Sequence, residues 1–244
     1  MIRNKVFQFL LVLTLAVLLG GCSTIKGWFG KKKPDKPPDI MAQEGIKQLK
    51  KRDYDDAIET FEKVRDRYPY SEQAKLAQIK VADAYFYKKK YDEALQAYKE
   101  FEKLHPTNKG VPYAVYRQGL CYYRQRSTID RDQTYTFKAL REFRRLKKKY
   151  PKCRYIPRAD KYIAQCRLDL AEHEFYVAEF YFKTKHYKAA LDRFQVVTQE
   201  YPNFPKTPKA KEYIGRCQKI LAEADTKPKS GFMYNLTNLF DARW

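Results

Sequence analysis

The sequence predicts an all-α protein built from about five repeated helical hairpins. One observation is a repeated unit, in which an alanine is followed by an aromatic residue after four positions and a proline after eight more. A second is composition, because only 9 of the 244 residues are glycine and runs such as EALQAYKEFEKL favour helix. A third is that alternating apolar and polar runs, which are typical of strands, are nearly absent.

The repeat is clearest between Gln78 and Pro106. Ala82 and Ala94 allow two antiparallel helices to approach closely, Tyr98 fills the seam between them, and Pro106 ends the second helix. The same unit recurs three more times, at Ala57, Phe61 and Pro69, at Ala139, Phe143 and Pro151, and at Ala190, Phe194 and Pro202. This spacing resembles that of tetratricopeptide (TPR) repeats, and the resemblance implies a right-handed superhelix of about five TPR-like hairpins.

The first helix of each hairpin carries a small residue at a fixed place. It lies thirteen residues after the preceding proline or, in the first copy, twelve before the alanine of the unit. These small residues are Gly45, Ala82, Gly119, Ala164 and Gly215. We expect each of them to let its helix approach the second helix of the hairpin closely.

Two segments depart from the simple period. Residues 125–134 are an insertion of about eight residues in the third repeat. Pro157 suits the first position of a helix that meets no breaker until about Lys185, and Ala178 repeats the small position of Ala164 about four turns later. The sequence therefore predicts one elongated helix in the fourth repeat.

Helix ends also have local signals. The first repeat helix is expected to begin after Pro38 with Asp39 as its N-cap, and Ser71 is a candidate N-cap of the third helix. A last helix, which carries Gly215, is expected to run to about Ala224.

The N-terminus has the pattern of an export signal. Two basic residues precede an apolar stretch at 6–19 that is too short for an ordinary spanning helix. The run LGGC that ends at Cys22 resembles a bacterial lipobox, which implies cleavage before Cys22 and stable anchoring through its acyl chains. Ser23 resembles the signal that sorts lipoproteins to the outer membrane. The alternative is an ordinary signal peptide with an incidental cysteine.

These features divide the chain into four predicted segments. They are a lipoprotein signal peptide at 1–21, a lipidated tether at 22–38, a TPR-like helical repeat domain at 39–225 and a C-terminal tail at 226–244.

The chain is strongly basic. Its formal net charge is +21, and removal of residues 1–21 leaves 48 − 29 = +19. A basic protein often binds nucleic acid, but an exported and lipidated chain meets none, so no nucleic-acid partner is expected. Anionic lipid headgroups and acidic partner chains remain as alternatives.

Several segments carry a closer resemblance. They are HPTNKGVPYAVYRQGL at 105–120, DRDQTYTFKALREF at 130–143 and LAEHEFYVAEFYFKTKHYKAALDRF at 170–194. Together with the lipobox they resemble the BamD family, the TPR lipoprotein subunits of the outer-membrane β-barrel assembly machinery. The resemblance implies a non-enzymatic scaffold that faces the periplasm and binds the periplasmic domains of BamA, other Bam lipoproteins and unfolded outer-membrane proteins.

No catalytic motif and no cofactor site is predicted. The three histidines, His105, His173 and His186, lack metal-ligand spacing, and His105 replaces the tyrosine that precedes proline in the other copies. Cys121, Cys166 and Cys217 each follow a small residue by two positions. They are therefore interpreted as packing residues too far apart for a disulfide.

The resemblance to TPR proteins places a concave binding surface on the first helix of each hairpin. Its predicted peptide-binding groove consists of Ile46, Leu49, Lys50, Ile79, Phe86, Tyr87, Tyr113, Tyr116, Tyr123 and Arg124. The predicted docking surface for other subunits includes Phe175, Glu179, Phe182 and Lys183. The alternative for the groove is that some aromatic residues pack against one another.

The tail adds a possible amphipathic helix. Phe232, Leu236, Leu239 and Phe240 lie at i, i+4, i+7 and i+8 and would share one helical face. Thirteen residues are marginal as an isolated helix, so we expect this face to dock on a protein partner. A disordered tail, packing on the last hairpin and insertion at the membrane interface are the alternatives.

Two other functions are weighed against the assembly scaffold. One is a pilotin-type TPR lipoprotein for secretin assembly, and the other is a TPR adaptor of cell-wall enzymes. The insertion at 125–134 and the segment 170–194 favour the assembly scaffold over both.

Overall fold

The computed structural model describes residues 36–226, and within them the chain is all-α. Nine helices follow one another in the order α1 (Pro38–Lys51), α2 (Tyr54–Arg67), α3 (Glu72–Tyr87), α4 (Tyr91–Leu104), α5 (Val111–Arg124), α6 (Thr134–Lys149), α7 (Ile156–Lys183), α8 (Tyr187–Glu200) and α9 (Thr207–Thr226). Each helix packs against the next one along the chain. The predicted TPR-like superhelix of helical hairpins is confirmed.

Several predictions concern residues outside this described range. The signal peptide and Cys22 precede it, and the apolar tail residues Phe232, Leu236, Leu239 and Phe240 follow it. They stay predictions. No helix between residues 36 and 226 is long and apolar enough to cross a membrane.

The helix ends confirm two local signals and correct one. The hydroxyl of Ser71 accepts a hydrogen bond from the backbone N–H of Ala74 at 3.1 Å, as an N-cap does. α7 is a single helix of 28 residues, as predicted, with Pro157 in its first turn. Asp39 is not an N-cap, because Pro38 can already occupy the first helical position without an N–H and Asp39 lies in the first turn.

In two hairpins, a glycine at the small position lets the two helices of the hairpin pack closely. A Cβ atom added to Gly45 would lie 2.7 Å from the Phe61 ring, and one added to Gly119 would lie 2.6 Å from the Phe143 ring. Each aromatic ring therefore occupies the space that a side chain would need, as the predicted register requires.

Two predicted small positions do not pack in this way. Ala164 is exposed, because the first half of α7 packs through Ala159 and Cys166 instead, and Ala178 is the buried small residue of the last hairpin. Gly215 is exposed, and apart from its chain neighbours and the backbone of its own helix, no atom of the described residues lies within 4 Å of an added Cβ. The prediction of a close helix approach is thus wrong at Ala164 and Gly215, although Cys166 and Cys217, two residues later, are buried as predicted. No second helix covers Gly215 within residues 36–226.

The hydrophobic core is divided into three clusters, and α7 belongs to two of them. One cluster lies between α1, α2 and α3, and the largest extends from α3 to α7 and ends at Leu170. The third begins at Ala171 and continues into α8 and α9. α7 therefore joins two parts of the superhelix through one continuous helix.

Candidate functional site

A buried polar network lies beneath the predicted groove. The hydroxyls of Tyr98 and Tyr113 donate to Oδ1 of Asp83 at 2.5 and 2.6 Å, and Lys80 donates to Oδ2 at 2.9 Å. The Nε of Arg117 donates to the Tyr98 hydroxyl at 2.9 Å, and its Nη2 lies 3.6 Å from Asp83. Because these residues come from α3, α4 and α5, the network joins three consecutive helices.

Burial and charge both act on this network. Asp83 is 2% exposed and Arg117 is 7% exposed. Burial raises the pKa of Tyr98 well above its ordinary value, and the Asp83 carboxylate raises it further. Burial opposes the charge of Arg117, but Tyr98, Tyr113 and Asp83 outweigh it and raise the pKa of its guanidinium. Arg117 is thus a fixed cation.

Arg117 also supports the aromatic residues above it. Its guanidinium carbon lies 3.8 Å from the centre of the Phe86 ring and 5.2 Å from that of Tyr87. Such contacts are favourable when a cation is desolvated. The network therefore fixes the end of α3, where two predicted groove residues lie.

Two predicted groove residues are part of the core. Phe86 is 9% exposed and packs against the Arg117 guanidinium, and Tyr116 is 6% exposed and stacks on Tyr155 with ring centres 5.2 Å apart. Burial raises the pKa of Tyr116 to about 12. As predicted by the alternative interpretation, these aromatic rings pack against neighbours, so neither presents a free ring to a ligand.

Five groove residues are half-buried and line the side of the core. They are Ile46, Leu49, Ile79, Tyr113 and Tyr123. Tyr123 packs edge-on against Tyr162 of α7 at 4.7 Å and lies under the guanidinium of Arg126 at 3.8 Å. The first part of α7 therefore closes one end of the groove.

The exposed groove residues are Lys50, Tyr87 and Arg124. Tyr87 is 51% exposed and stacks on Tyr54 of α2 with ring centres 6.2 Å apart. An exposed aromatic ring with cations on the same set of helices can contact an aromatic or carboxylate group of a peptide.

The predicted docking residues of the C-terminal part are also placed differently from one another. Phe175 is 2% exposed and packs on Phe194 at 5.5 Å, so it is a core residue and its prediction as a contact residue is corrected. Glu179 accepts a hydrogen bond from Lys209 at 2.8 Å. Phe182 is half-buried beside Tyr213 at 4.8 Å, and Lys183 is exposed.

The length of α7 leaves two apolar faces open that the sequence analysis missed. On the first half of α7, Ala164 and Leu168 line an open cleft of about 500 Å³ together with Phe204 and Pro205. On the second half, Tyr176 and Phe180 are 45% and 56% exposed. Each face continues a side of α7 that is packed in the other half of the helix. The length of α7 could have predicted these two open faces, because neighbouring helices of 14 to 20 residues cover only part of a 28-residue helix.

The histidine and cysteine side chains have structural environments: two histidines contact neighbouring polar groups, and most of the cysteines are buried. His105 lies 2.7 Å from the Gln78 side chain, and His173 lies 2.6 Å from the carbonyl oxygen of Ile129. Cys121, Cys153, Cys166 and Cys217 are free thiols, and burial raises the pKa of Cys121 and Cys166 to about 12. No group of three metal-ligating side chains is found between residues 36 and 226.

Sequence comparison supplies the family. A family model named YfiO and described as "Outer membrane lipoprotein" matches residues 34–231 and so includes all nine described helices. The chain belongs to this family. The YfiO family match agrees with relatives named outer membrane protein assembly factor BamD, so the predicted resemblance to BamD is confirmed.

Three of these YfiO/BamD relatives show the extent of the similarity. The protein from Rickettsia prowazekii is 31% identical over 78% of this chain and 74% of its own length. The protein from Caulobacter vibrioides is 29% identical over 84% of this chain and 69% of its own length. The protein from Neisseria gonorrhoeae is 26% identical over 97% of each chain.

Proposed function

We propose that this YfiO/BamD family chain is a periplasm-facing scaffold lipoprotein of outer-membrane β-barrel assembly, anchored through Cys22. The observation that carries the proposal is the family match over residues 34–231, together with relatives named as outer membrane protein assembly factors. The described side chains support a binding role, because exposed aromatic residues such as Tyr87 and Phe180 lie on helix faces.

Peptide binding is assigned to the exposed part of the N-terminal groove. Tyr87 offers an aromatic surface held by Tyr54 from the side and by Arg117 from below. Lys50 and Arg124 are exposed cations that can pair with a chain-terminal carboxylate. This chemistry suits extended, aromatic-rich C-terminal segments of unfolded barrel proteins.

Photo-crosslinking tests this assignment. A photoreactive residue at Tyr87 is expected to label such a C-terminal peptide, whereas the same residue at exposed Tyr70, at the turn between α2 and α3, is the control and is expected not to label it. Equal labelling from both positions, or no labelling from Tyr87, would reject the groove assignment.

Docking of the barrel subunit BamA and other Bam lipoproteins is assigned to α7–α9. The half-exposed rings of Tyr176 and Phe180 and the exposed Lys183 provide the apolar and charged contacts that interface centres use. A Phe180→Ser variant is expected to lose capture of the barrel subunit. Leu104→Ser is the matched control, because Leu104 is 52% exposed at the end of α4. Equal capture by both variants would place docking elsewhere.

The tail is assigned to the same docking role. Removal of the residues after Gly231 is expected to weaken capture while the melting temperature changes by less than about 2 °C, since a helix that folds only on a partner adds little to the free chain. A large drop in melting temperature would show that the tail is part of the core.

Affinity purification of the tagged full chain from detergent-solubilised envelopes separates the scaffold from its rivals. Recovery of the barrel subunit BamA is expected. Recovery of a secretin would instead support the pilotin-type function, and recovery of cell-wall enzymes would support the adaptor function.

A further inference from the structure

The surplus positive charge of the chain is concentrated in one stretch. Residues 126–167 contain 14 Lys and Arg and 4 Asp and Glu, so their net charge is 14 − 4 = +10. By the same count, residues 36–125 carry 18 − 14 = +4 and residues 168–226 carry 9 − 9 = 0. The charge therefore belongs to α6 and the first half of α7, together with the loops on either side of α6.

One face of α6 carries three of the exposed cations of this stretch beside an exposed aromatic ring. Phe137, Arg141, Arg144 and Lys148 lie at i, i+4, i+7 and i+11, which places them within about 60° of one another around the helix axis. All four are exposed, with Phe137 at 51% and the Arg141 side chain at 72%. We refer to these four residues as the basic face; it extends over about 16 Å of the helix.

Nearby acids do not neutralise the basic face. Glu142 is 7% exposed and accepts a hydrogen bond from Arg145 at 2.7 Å, and it lies 4.0 Å from Arg141. Asp160 accepts from Lys147, which lies outside the basic face. Within residues 36–226, Arg144 and Lys148 have no ion pair. Two cations therefore remain uncompensated beside Arg141, whose contact with Glu142 is long.

We propose that the basic face binds a membrane surface that contains anionic phospholipid. Exposed cations on an amphipathic helix are attracted to lipid phosphates, and an exposed aromatic ring can enter the boundary between headgroups and acyl chains. An acidic protein segment would pair with the cations but would leave the half-exposed Phe137 ring without a partner. A chain of an outer membrane lipoprotein family also has a lipid surface near it. The proposal is independent of barrel assembly, and its failure leaves the proposed function intact.

Vesicle flotation of the mature chain tests the proposal. Cys22→Ala removes the acyl anchor, so that binding reports the polypeptide and not its acyl chains. The protein is expected to bind phosphatidylcholine vesicles that contain phosphatidylglycerol, not phosphatidylcholine alone, and to be released at high ionic strength. The triple variant R141Q/R144Q/K148Q is expected to bind about 100-fold more weakly, at about fivefold per cation. Phe137→Ser is expected to weaken binding with no change in charge.

A matched variant separates a site from net charge. K188Q/K211Q/K219Q also removes three exposed lysine charges, but on α8 and α9, and is expected to bind as the parent protein does. Circular dichroism confirms that both triple variants are folded. Equal losses in the two triple variants, or a Phe137→Ser variant that binds normally, would overturn the proposal. Tighter binding of a soluble poly-glutamate peptide that needs the same three cations would also overturn it, in favour of an acidic protein segment.

Discussion

The middle and the C-terminal part of the superhelix share one repeat but are held together by different interactions. Between α3 and α6, charged groups are buried. Besides the Asp83 network, the partly buried Arg145 donates to the partly buried Glu102 at 2.7 Å and to Gln118, which is 1% exposed. Between α7 and α9, ion pairs such as Lys206–Glu172 at 2.6 Å lie at the surface, and the core consists of stacked rings such as Phe194 and Tyr213.

The difference shows that spacing alone does not decide how a repeat is stabilised. The aromatic position of the unit is Phe61, Phe143 or Phe194 in three copies, and each ring is fully buried. In the remaining copy it is Tyr98, and its hydroxyl reaches Asp83. The buried Tyr98 hydroxyl needs hydrogen-bond partners, since an unpaired buried polar group is costly. Asp83 and Arg117 provide them.

The largest test of this comparison is removal of one partner from the buried network. Arg117→Ala is expected to lower the free energy of unfolding by about 2–4 kcal/mol, because it removes the donor to the buried Tyr98 hydroxyl and leaves Asp83 with Lys80 alone as a cationic partner among the described residues. Arg193→Ala removes the surface partner of Glu174 in α7–α8 and is expected to cost at most about 1 kcal/mol. Urea unfolding followed by circular dichroism measures both. Similar losses would show that the network adds no more than a surface pair.

A smaller test uses two glycines at the same position of the repeat. Gly119→Ala forces a Cβ against the Phe143 ring and is expected to destabilise by about 1–3 kcal/mol. Gly215→Ala meets open space among the described residues and is expected to stabilise by about 0.5–1 kcal/mol through helix propensity. Thermal unfolding of the two variants gives the sign of each stability change. The comparison fails if both changes have the same sign.

The sequence was sufficient for the fold because its signals are local and repeated. The alanine–aromatic–proline unit, the N-cap at Ser71 and the unbroken run after Pro157 each report on a few neighbouring residues. Because the unit occurs in four copies, the third hairpin could be identified despite the insertion at 125–134.

The candidate site was harder to predict because its burial depends on residues far along the chain. Tyr116 is buried by Tyr155, and Tyr123 packs against Tyr162, although the repeat register alone places both on an open concave face. Signals for the buried network were present: a tyrosine at the position of phenylalanine, and Asp83 within an apolar run. No spacing rule connects Asp83 to Arg117 before the helices are packed.

The smallest test concerns His105, where the N-terminal part of the superhelix again departs from its repeat. Tyr68, Tyr150 and Tyr201 precede proline in the other copies. Burial lowers the pKa of His105 below its ordinary value, and Lys75 lowers it further while Glu72 acts in the opposite direction. The folded chain therefore binds a proton at His105 less readily than the unfolded chain. Its contribution to stability is present above the unfolded pKa of about 6.5 and is lost as the pH falls below that value.

Replacement by the repeat residue, His105→Tyr, is expected to remove this loss. Between pH 7.5 and 5.5 the melting temperature of the parent should fall further than that of the variant, by at most about 2 °C because solvent screens a partly exposed ring. His173 and His186 are present in both proteins, so the difference between the two pH profiles isolates His105. If the melting temperature of the variant falls as steeply as that of the parent, proton binding at His105 is not linked to folding. The contact between His105 and the Gln78 side chain would then tolerate the protonated ring.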